Sequence, residues 1–349
     1  MKQSYIEILK NLKKDDSVNQ SPDDRILVID GLNTFIRAFA VNPSMNEDGI
    51  HIGGMTGFLQ SIGYAIKNIK PTRVIVCFDG KGGSSKRRKL FPEYKANRKV
   101  RKRLTRLDSF HNQEDESISM KNQIRRLTQY LDTLPITVIA PENIEADDAM
   151  AYLSQQVYPE SHFYIMSTDK DFLQLVDDRV QVWSPTKKKY YFKETVNDDF
   201  EIPAHNFLLY RTMKGDASDN IPGIRGVGVK TLKKKLPILF EDKKLTLDEM
   251  ISHVKDLDDT SKVISDIKNS EDMIRLNYDL MQLSNVDIPG SIKSGIIDAV
   301  RKPINRLVKY KFQKLMLEDK TNSAIRNPDL WLKTCFSHLE AMASKSYEW

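Results

Sequence analysis

Acidic residues recur along this chain in short, separated groups whose spacing suits metal-assisted chemistry. Glu145-Ala146-Asp147-Asp148 opens a helical pattern, and Asp169-Lys170-Asp171 follows an apolar run after a Ser167-Thr168 turn. Either pair alone is an ordinary feature, because carboxylates favour the first turn of a helix and turns are rich in Asp. The group is less ordinary. Asp30 and Asp79 each stand directly after a β-branched run. If Asp30, Asp79, Glu145, Asp147, Asp169 and Asp171 reach one edge of a sheet, each close pair repels by several kcal/mol at an effective dielectric near ~20. Cations must then be present. Oxygen donors without Cys or His nearby favour Mg²⁺ or Mn²⁺ over Zn²⁺, and two such ions roughly 3.5–4 Å apart form a clamp suited to phosphodiester hydrolysis. The six histidines form no Ser-His-Asp or Cys-His pattern, and His51 reads as structural or solvated.

The elements that must carry these acids are legible as short apolar runs: Ile26 to Ile29, Arg73 to Phe78, Ile136 to Ile139, His162 to Met166 and Val180 to Trp183. They have the character of buried parallel strands. Helical spacing lies between them, as in Phe58, Ile62, Ala65, Ile66 and Ile69, then Ile124, Leu127, Leu131 and Leu134, then Ala149 to Val157. This alternation predicts an α/β fold with a largely parallel sheet flanked by helices, whose ligand site forms at the carboxyl ends of the strands. Four regions follow: an extension over 1–24 with weak amphipathic spacing (Ile6, Leu9, Leu12), an α/β domain over 25–200 with an insertion at about 80–118, a glycine-rich helical region over 201–244, and a helical region over 245–349.

The 349 residues and their 40% hydrophobic content suffice for one large or two ordinary domains. The net charge of +6 conceals a crowding of Lys and Arg between Lys86 and Arg106, which points to a polyanionic partner. Cys77 and Cys335 are the two cysteines, so neither a disulfide framework nor a cysteine zinc site is available and a reducing compartment is expected. The sequence contains no apolar run near the roughly 18 residues needed to span a bilayer, and Met1 to Lys14 lacks the features of a signal peptide. A cytoplasmic monomer without membrane association is expected.

Two motifs bear on binding. The run from Lys214 to Thr231 contains Asp216, Asp219, Gly223, Gly226 and Gly228, a glycine spacing that closes one helix and opens another. Backbone N–H groups there could hold a DNA phosphate, and carbonyls on the same turn could hold a monovalent cation such as K⁺. An ordinary helix-turn-helix connection would use the same glycines, but the Asp216/Asp219 pair leading into the turn favours a functional role. In the insertion, Lys95 and Arg98 are three apart and share a face if helical, while Tyr94 offers a ring for stacking on a base. Set over a carboxylate-lined edge, this segment would hold single-stranded nucleic acid against the metals.

Together these residues resemble the 5′-nuclease family, which includes flap endonucleases, the nuclease domain of bacterial DNA polymerase I and free-standing bacteriophage enzymes. The resemblance spans roughly residues 25 to 240. It rests on Val28-Ile29-Asp30-Gly31-Leu32-Asn33, Phe78-Asp79-Gly80, Pro92 to Arg98, Glu145 to Asp148, Ser167 to Asp171 and Gly215 to Thr231. It implies a PIN-like fold with a helical arch at the insertion and a helix-hairpin-helix-type region at the glycines. It also implies that Asp30, Asp79, Glu145 and Asp147 serve a first metal, that Asp169 lies between two, that Asp171, Asp216 and Asp219 serve the second, and that Asp148 stands behind them. Lys95 and Arg98 would face the scissile phosphate, with Arg37, Arg211 and Lys230 as looser DNA contacts.

The implied activity is Mg²⁺-dependent cleavage, Mn²⁺ substituting, at or near the 5′ end of flaps, nicks or RNA primers, with RNase H activity included. Branched, nicked or RNA-primed DNA would be the substrate. A single-stranded DNA-binding protein or a sliding clamp would be the protein partner, and a phage-infected bacterial cell the setting. The sequence contains no polymerase after the nuclease and no clamp peptide of the eukaryotic or archaeal kind. The rivals are a related ribonuclease or junction resolvase, and a catalytically silent DNA-binding module.

Overall fold

The computed structural model describes residues 21–100, 105, 110, 112–321 and 324–346. Most of the basic run between Arg101 and Arg106 and the amphipathic spacing of the first twenty residues therefore lie outside the described residues. Strand β1 (Arg25–Asp30) is buried along its whole length, as a strand covered on both faces must be. It pairs in parallel with β2 (Arg73–Cys77) on one side and β4 (His162–Met166) on the other. Strands β3 (Thr137–Ile139) and β5 (Val180–Ser184) extend the parallel sheet outward, and β6 (Lys189–Tyr191) closes one edge antiparallel. Among the described residues the order is β3-β2-β1-β4-β5-β6. The chain reverses its direction of strand addition between β1 and β4, and in open parallel sheets the crevice outside the carboxyl ends at that point is where ligands bind.

Five strands stand where the apolar runs predict them. The sixth does not announce itself, because three residues that begin inside the Lys187-Lys188-Lys189 run carry neither length nor alternation. On one sheet face Leu27 and Ile29 of β1 pack against helices α1 (Gly31–Val41) and α2 (Gly53–Ile69). Ile26 and Val28 point the other way, toward the helix opening at Ala146. This is the period-two alternation of a strand buried twice over. Beyond residue 245 the described chain builds only a small cluster of its own, Ile304 with Met342 and Ala343, and otherwise joins the cores already formed. Leu245, Met250 and Val254 pack with Leu232 and Leu236 of the glycine-rich region. Ile296 and Val300 return to one sheet face, and Phe312 and Phe336 to the other. The last helix (Pro328–Ser346) lies so close to α2 that a Cβ on Gly63 would come within 2.8 Å of the Trp331 ring.

Candidate metal and nucleic-acid site

Asp30 ends β1 and caps α1, its carboxylate accepting the Asn33 N–H at 3.0 Å and the Ser167 hydroxyl at 2.9 Å. Asp79 follows β2 and accepts the Ala146 N–H at 2.7 Å, which ties the β2 end to the next helix start. That helix begins at Glu145 and presents Asp147 in its first turn. Asp169 follows β4, caps the turn Lys170–Leu175 and accepts the Asp171 N–H at 2.8 Å. Strand ends at the sheet crevice, with the helix start that carries Asp147, thus bring Asp30, Asp79, Asp147 and Asp169 to one cavity of about 600 Å³. Asp216 reaches the same cavity from the glycine-rich turn, so that turn begins at the chemistry and not remote from it.

The carboxylates divide by partner. Asp30, Asp79, Asp147 and Asp169 have no hydrogen bond to Lys or Arg among the described residues. Burial, then Asp169 and Asp79, push the Asp30 carboxyl up to about 7, although Asn33 and Ser167 resist. Burial and the charges of Asp169 and Asp30 raise Asp147 well above the usual carboxylate range, and burial raises Asp169. The outer acids are instead paired with the chain's own cations. Glu145 is 2% exposed and accepts from Ser84 (2.5 Å), Arg87 (2.9 Å), Tyr94 (3.0 Å) and Lys95 (2.6 Å). Burial opposes its charge, but Arg87 and Lys95 hold its carboxyl down at about 2.

Asp148 forms a two-pronged pair with Arg87, both contacts at 2.8 Å, and also accepts the Glu145 N–H. It faces Arg87 and does not line the cavity. Asp219 pairs with Arg98 and lies 3.3 Å from the Tyr94 hydroxyl. Asp171 and Asp216 share Arg211, at 2.9 and 2.5 Å.

The insertion meets these acids differently from the sequence expectation. Lys95 and Arg98 do converge on the site, but not as one helical face: Lys95 has φ of 57° and its N–H donates to the Asp219 carbonyl at 2.8 Å. A tight left-handed turn therefore aims both side chains inward. Tyr94 is 3% exposed with its hydroxyl on Glu145, so its ring is packed and not displayed for base stacking. Arg87 was legible only as part of a basic run, yet it joins Glu145, Asp148 and the Leu280 carbonyl. No pattern in the sequence separates it from its neighbours Lys86 and Arg88.

Arg37, Lys170 and Lys214 also line the cavity, and none has an ion-pair partner among the described residues. The Arg37 Nη1 is buried without a hydrogen bond, and burial lowers that guanidinium's pKa. Lys170 lies 5.9 Å from the Phe200 ring centre. In the glycine turn, Gly226 has φ of 82°, Gly215 has φ of 69°, and a Cβ on Gly223 would fall 2.0 Å from the Lys214 carbonyl oxygen. Gly228 caps the helix Val229–Lys235, where Lys230 is exposed. His51 is structural, with Nε2 2.8 Å from the Asn42 carbonyl oxygen and its ring edge-on to Phe39 and Phe110.

Among the described residues no three acidic, histidine or cysteine side chains already converge as a finished metal cage. The donor set nevertheless fits a hard divalent cation: four carboxylates with no hydrogen bond to Lys or Arg among the described residues, three of them held after strand ends by backbone and hydroxyl donors and Asp147 set by a helix start, face one polar cavity. No helix among the described residues is long and apolar enough to cross a membrane.

A family model for the 5′-3′ exonuclease N-terminal resolvase-like domain matches residues 25–201. A 5′-3′ exonuclease of Bacillus subtilis is 29% identical over 221 residues, covering 61% of this chain and 69% of that protein. DNA polymerase I of Rhizobium leguminosarum is 29% identical over 277 residues, 76% of this chain but only 25% of that polymerase. Among solved structures, a bacteriophage T5 flap endonuclease in complex with DNA and metal ions shares the fold. Its TM-score is 0.61 at 23% identity, over 85% of this chain and 99% of that one.

Proposed function

The chain belongs to the 5′-3′ exonuclease family of phosphodiester-hydrolysing nucleases, and on that premise we propose a Mg²⁺-dependent 5′-nuclease that cuts near the 5′ end of flaps, nicks or RNA primers in DNA. The observation that carries this reading is one cavity in which Asp30, Asp79, Asp147 and Asp169 face Arg37, Lys170 and Lys214 with none of the seven in an ion pair among the described residues. Asp30, Asp79, Asp147 and Asp169 would hold one ion, with Glu145 on the same side, and Asp171, Asp216 and Asp219 form the outer acids toward a second. Bound there, such ions lower the pKa of an attacking water and neutralise charge on the leaving oxygen. Mn²⁺ is expected to substitute, since the donors are all oxygen.

The chain's own residues do the rest. Arg37, Lys170 and Lys214 bind backbone phosphates that enter the cavity, because their charges are not already neutralised. Lys95 and Arg98 supply positive charge from the insertion side, where the scissile phosphate would approach the acids. Gly223, Gly226, Gly228 and Lys230 grip duplex DNA beyond the cut, with K⁺ on the turn's carbonyls. The test is cleavage of labelled flap, nicked and RNA-primed duplexes in Mg²⁺ by the wild type and by Asp169→Asn. Cleavage should fall to background in the variant while flap binding persists. Near-wild-type cleavage by Asp169→Asn, or none by the wild type on any of the three, would refute the reading.

A further inference from the structure

The residues around Asp171 and Asp216 carry more than a ligand assignment. Arg211 is 8% exposed on the helix Phe207–Lys214. Its Nε and Nη2 both lie 2.9 Å from Asp171 Oδ1, and Nη2 lies 2.5 Å from Asp216 Oδ2. Nη1 is aimed at the Gly215 carbonyl at 3.5 Å. The other oxygen of Asp216 accepts from the Ser218 N–H and hydroxyl, at 2.7 and 2.6 Å. One guanidinium thus bridges two of the outer acids through Asp171 Oδ1 and Asp216 Oδ2, oxygens that an ion held by both acids would have to share. Among the described residues no guanidinium or ammonium hydrogen-bonds Asp30, Asp79, Asp147 or Asp169; the partners of Asp30, Asp79 and Asp169 are N–H groups and a hydroxyl.

We propose that Arg211 is a tethered counter-cation that competes with a divalent ion for Asp171 and Asp216, dividing the acidic site into a tight inner quartet and a weak outer pair. This rests on the metal-dependent reading above. The competition is local and directional, because a planar guanidinium satisfies two carboxylates through charge-assisted bonds that a metal must displace. Arg211 is accordingly a positioning residue for the outer acids, and its removal should affect metal affinity in the direction opposite to that of a lost scaffold.

The experiment is Mn²⁺ titration of the metal-free full chain by calorimetry and by electron paramagnetic resonance of free Mn²⁺, for the wild type, Arg211→Gln and Arg211→Lys. The wild type should bind one Mn²⁺ tightly and a second at least about tenfold more weakly. In Arg211→Gln the second site should tighten by about tenfold or more, the scale of a lost charge-assisted contact, while the first barely changes. Arg211→Lys, which keeps the charge but loses the two-pronged geometry, should fall between them. Circular dichroism melts establish that the variants fold; if Arg211→Gln does not, the lysine variant and the wild-type spacing of the two sites decide. Unchanged or weaker second-site binding in a folded variant, or two equal sites in the wild type, would overturn the proposal. A wild type that binds no Mn²⁺ at all would instead overturn the metal-dependent reading itself.

Discussion

Replacing Asp30 by Asn should stabilise the metal-free protein while destroying its activity. Asp30 is 7% exposed at the end of β1, and Arg37 on the same cavity wall makes no hydrogen bond to it among the described residues. Burial and the charges of Asp169 and Asp79 raise its carboxyl from 3.8 to about 7. A carboxyl raised in this way contributes stability below the unfolded value of 3.8, and that contribution is lost as the pH climbs through about 7. Ionised at pH 8, it costs the fold about 4 kcal/mol, at ~1.36 kcal/mol for each pH unit between the two values. Asn has the same shape, and its carbonyl can still accept from Asn33 N–H or Ser167. In EDTA at pH 8, Asp30→Asn should therefore melt several degrees above the wild type, at about 2 °C per kcal/mol for a chain of this size. The gap should narrow to about 2 kcal/mol at pH 5 and close only below about 4, where the unfolded carboxyl is protonated too. Saturating Mn²⁺ should raise the wild-type Tm by more than that of the variant, because a cation relieves the same repulsion. The reasoning fails if Asp30→Asn melts at or below the wild type in EDTA at pH 8, or if the gap widens on acidification.

Other perturbations separate grip, scaffold and chemistry. Lys95→Ala removes the ammonium 2.6 Å from Glu145 and should slow single-turnover flap cleavage by about 10²–10³-fold, the ~3–4 kcal/mol typical of a lost charge at a developing oxyanion; an unchanged rate constant would reduce Lys95 to a structural partner. Arg87→Met strands Glu145 and Asp148 without their shared guanidinium and should cost about 3–5 kcal/mol in urea unfolding, against less than ~1 kcal/mol if the pair were a solvated surface contact. Lys230→Ala should weaken binding to flap and unbranched duplex alike and flatten the salt dependence by about one unit of log–log slope, with little change in cleavage at saturation; an identical slope would remove Lys230 from the interface. Gly226→Val forces a β-branched residue to φ of 82° and should weaken duplex binding further, which fluorescence anisotropy on a duplex lacking any flap would measure.

What the sequence determined by itself was the set of acids and the elements that deliver them. Asp30, Asp79 and Asp169 could be placed because each follows a buried apolar run, and in a parallel sheet the ends of such runs share one edge as a matter of topology. Asp147 could be placed because a helix start fixes the direction of its first turn. Gly226 could be read because a positive φ has few residues to choose from. What only the tertiary structure decided was which charge meets which. Arg87 acts on Glu145 and Asp148 across 58 and 61 positions of sequence, and Arg98 reaches Asp219 across 121, distances over which no local spacing carries information. The inward aim of Lys95 depends on a left-handed turn that its residue type does not advertise, and the burial of Tyr94 on Glu145 converts an apparent stacking ring into a packed hydroxyl donor. Local pattern follows from backbone periodicity and strand polarity, which every residue shares. The pairing of long side chains depends on where separate segments come to rest, and that is settled only when the whole core has packed.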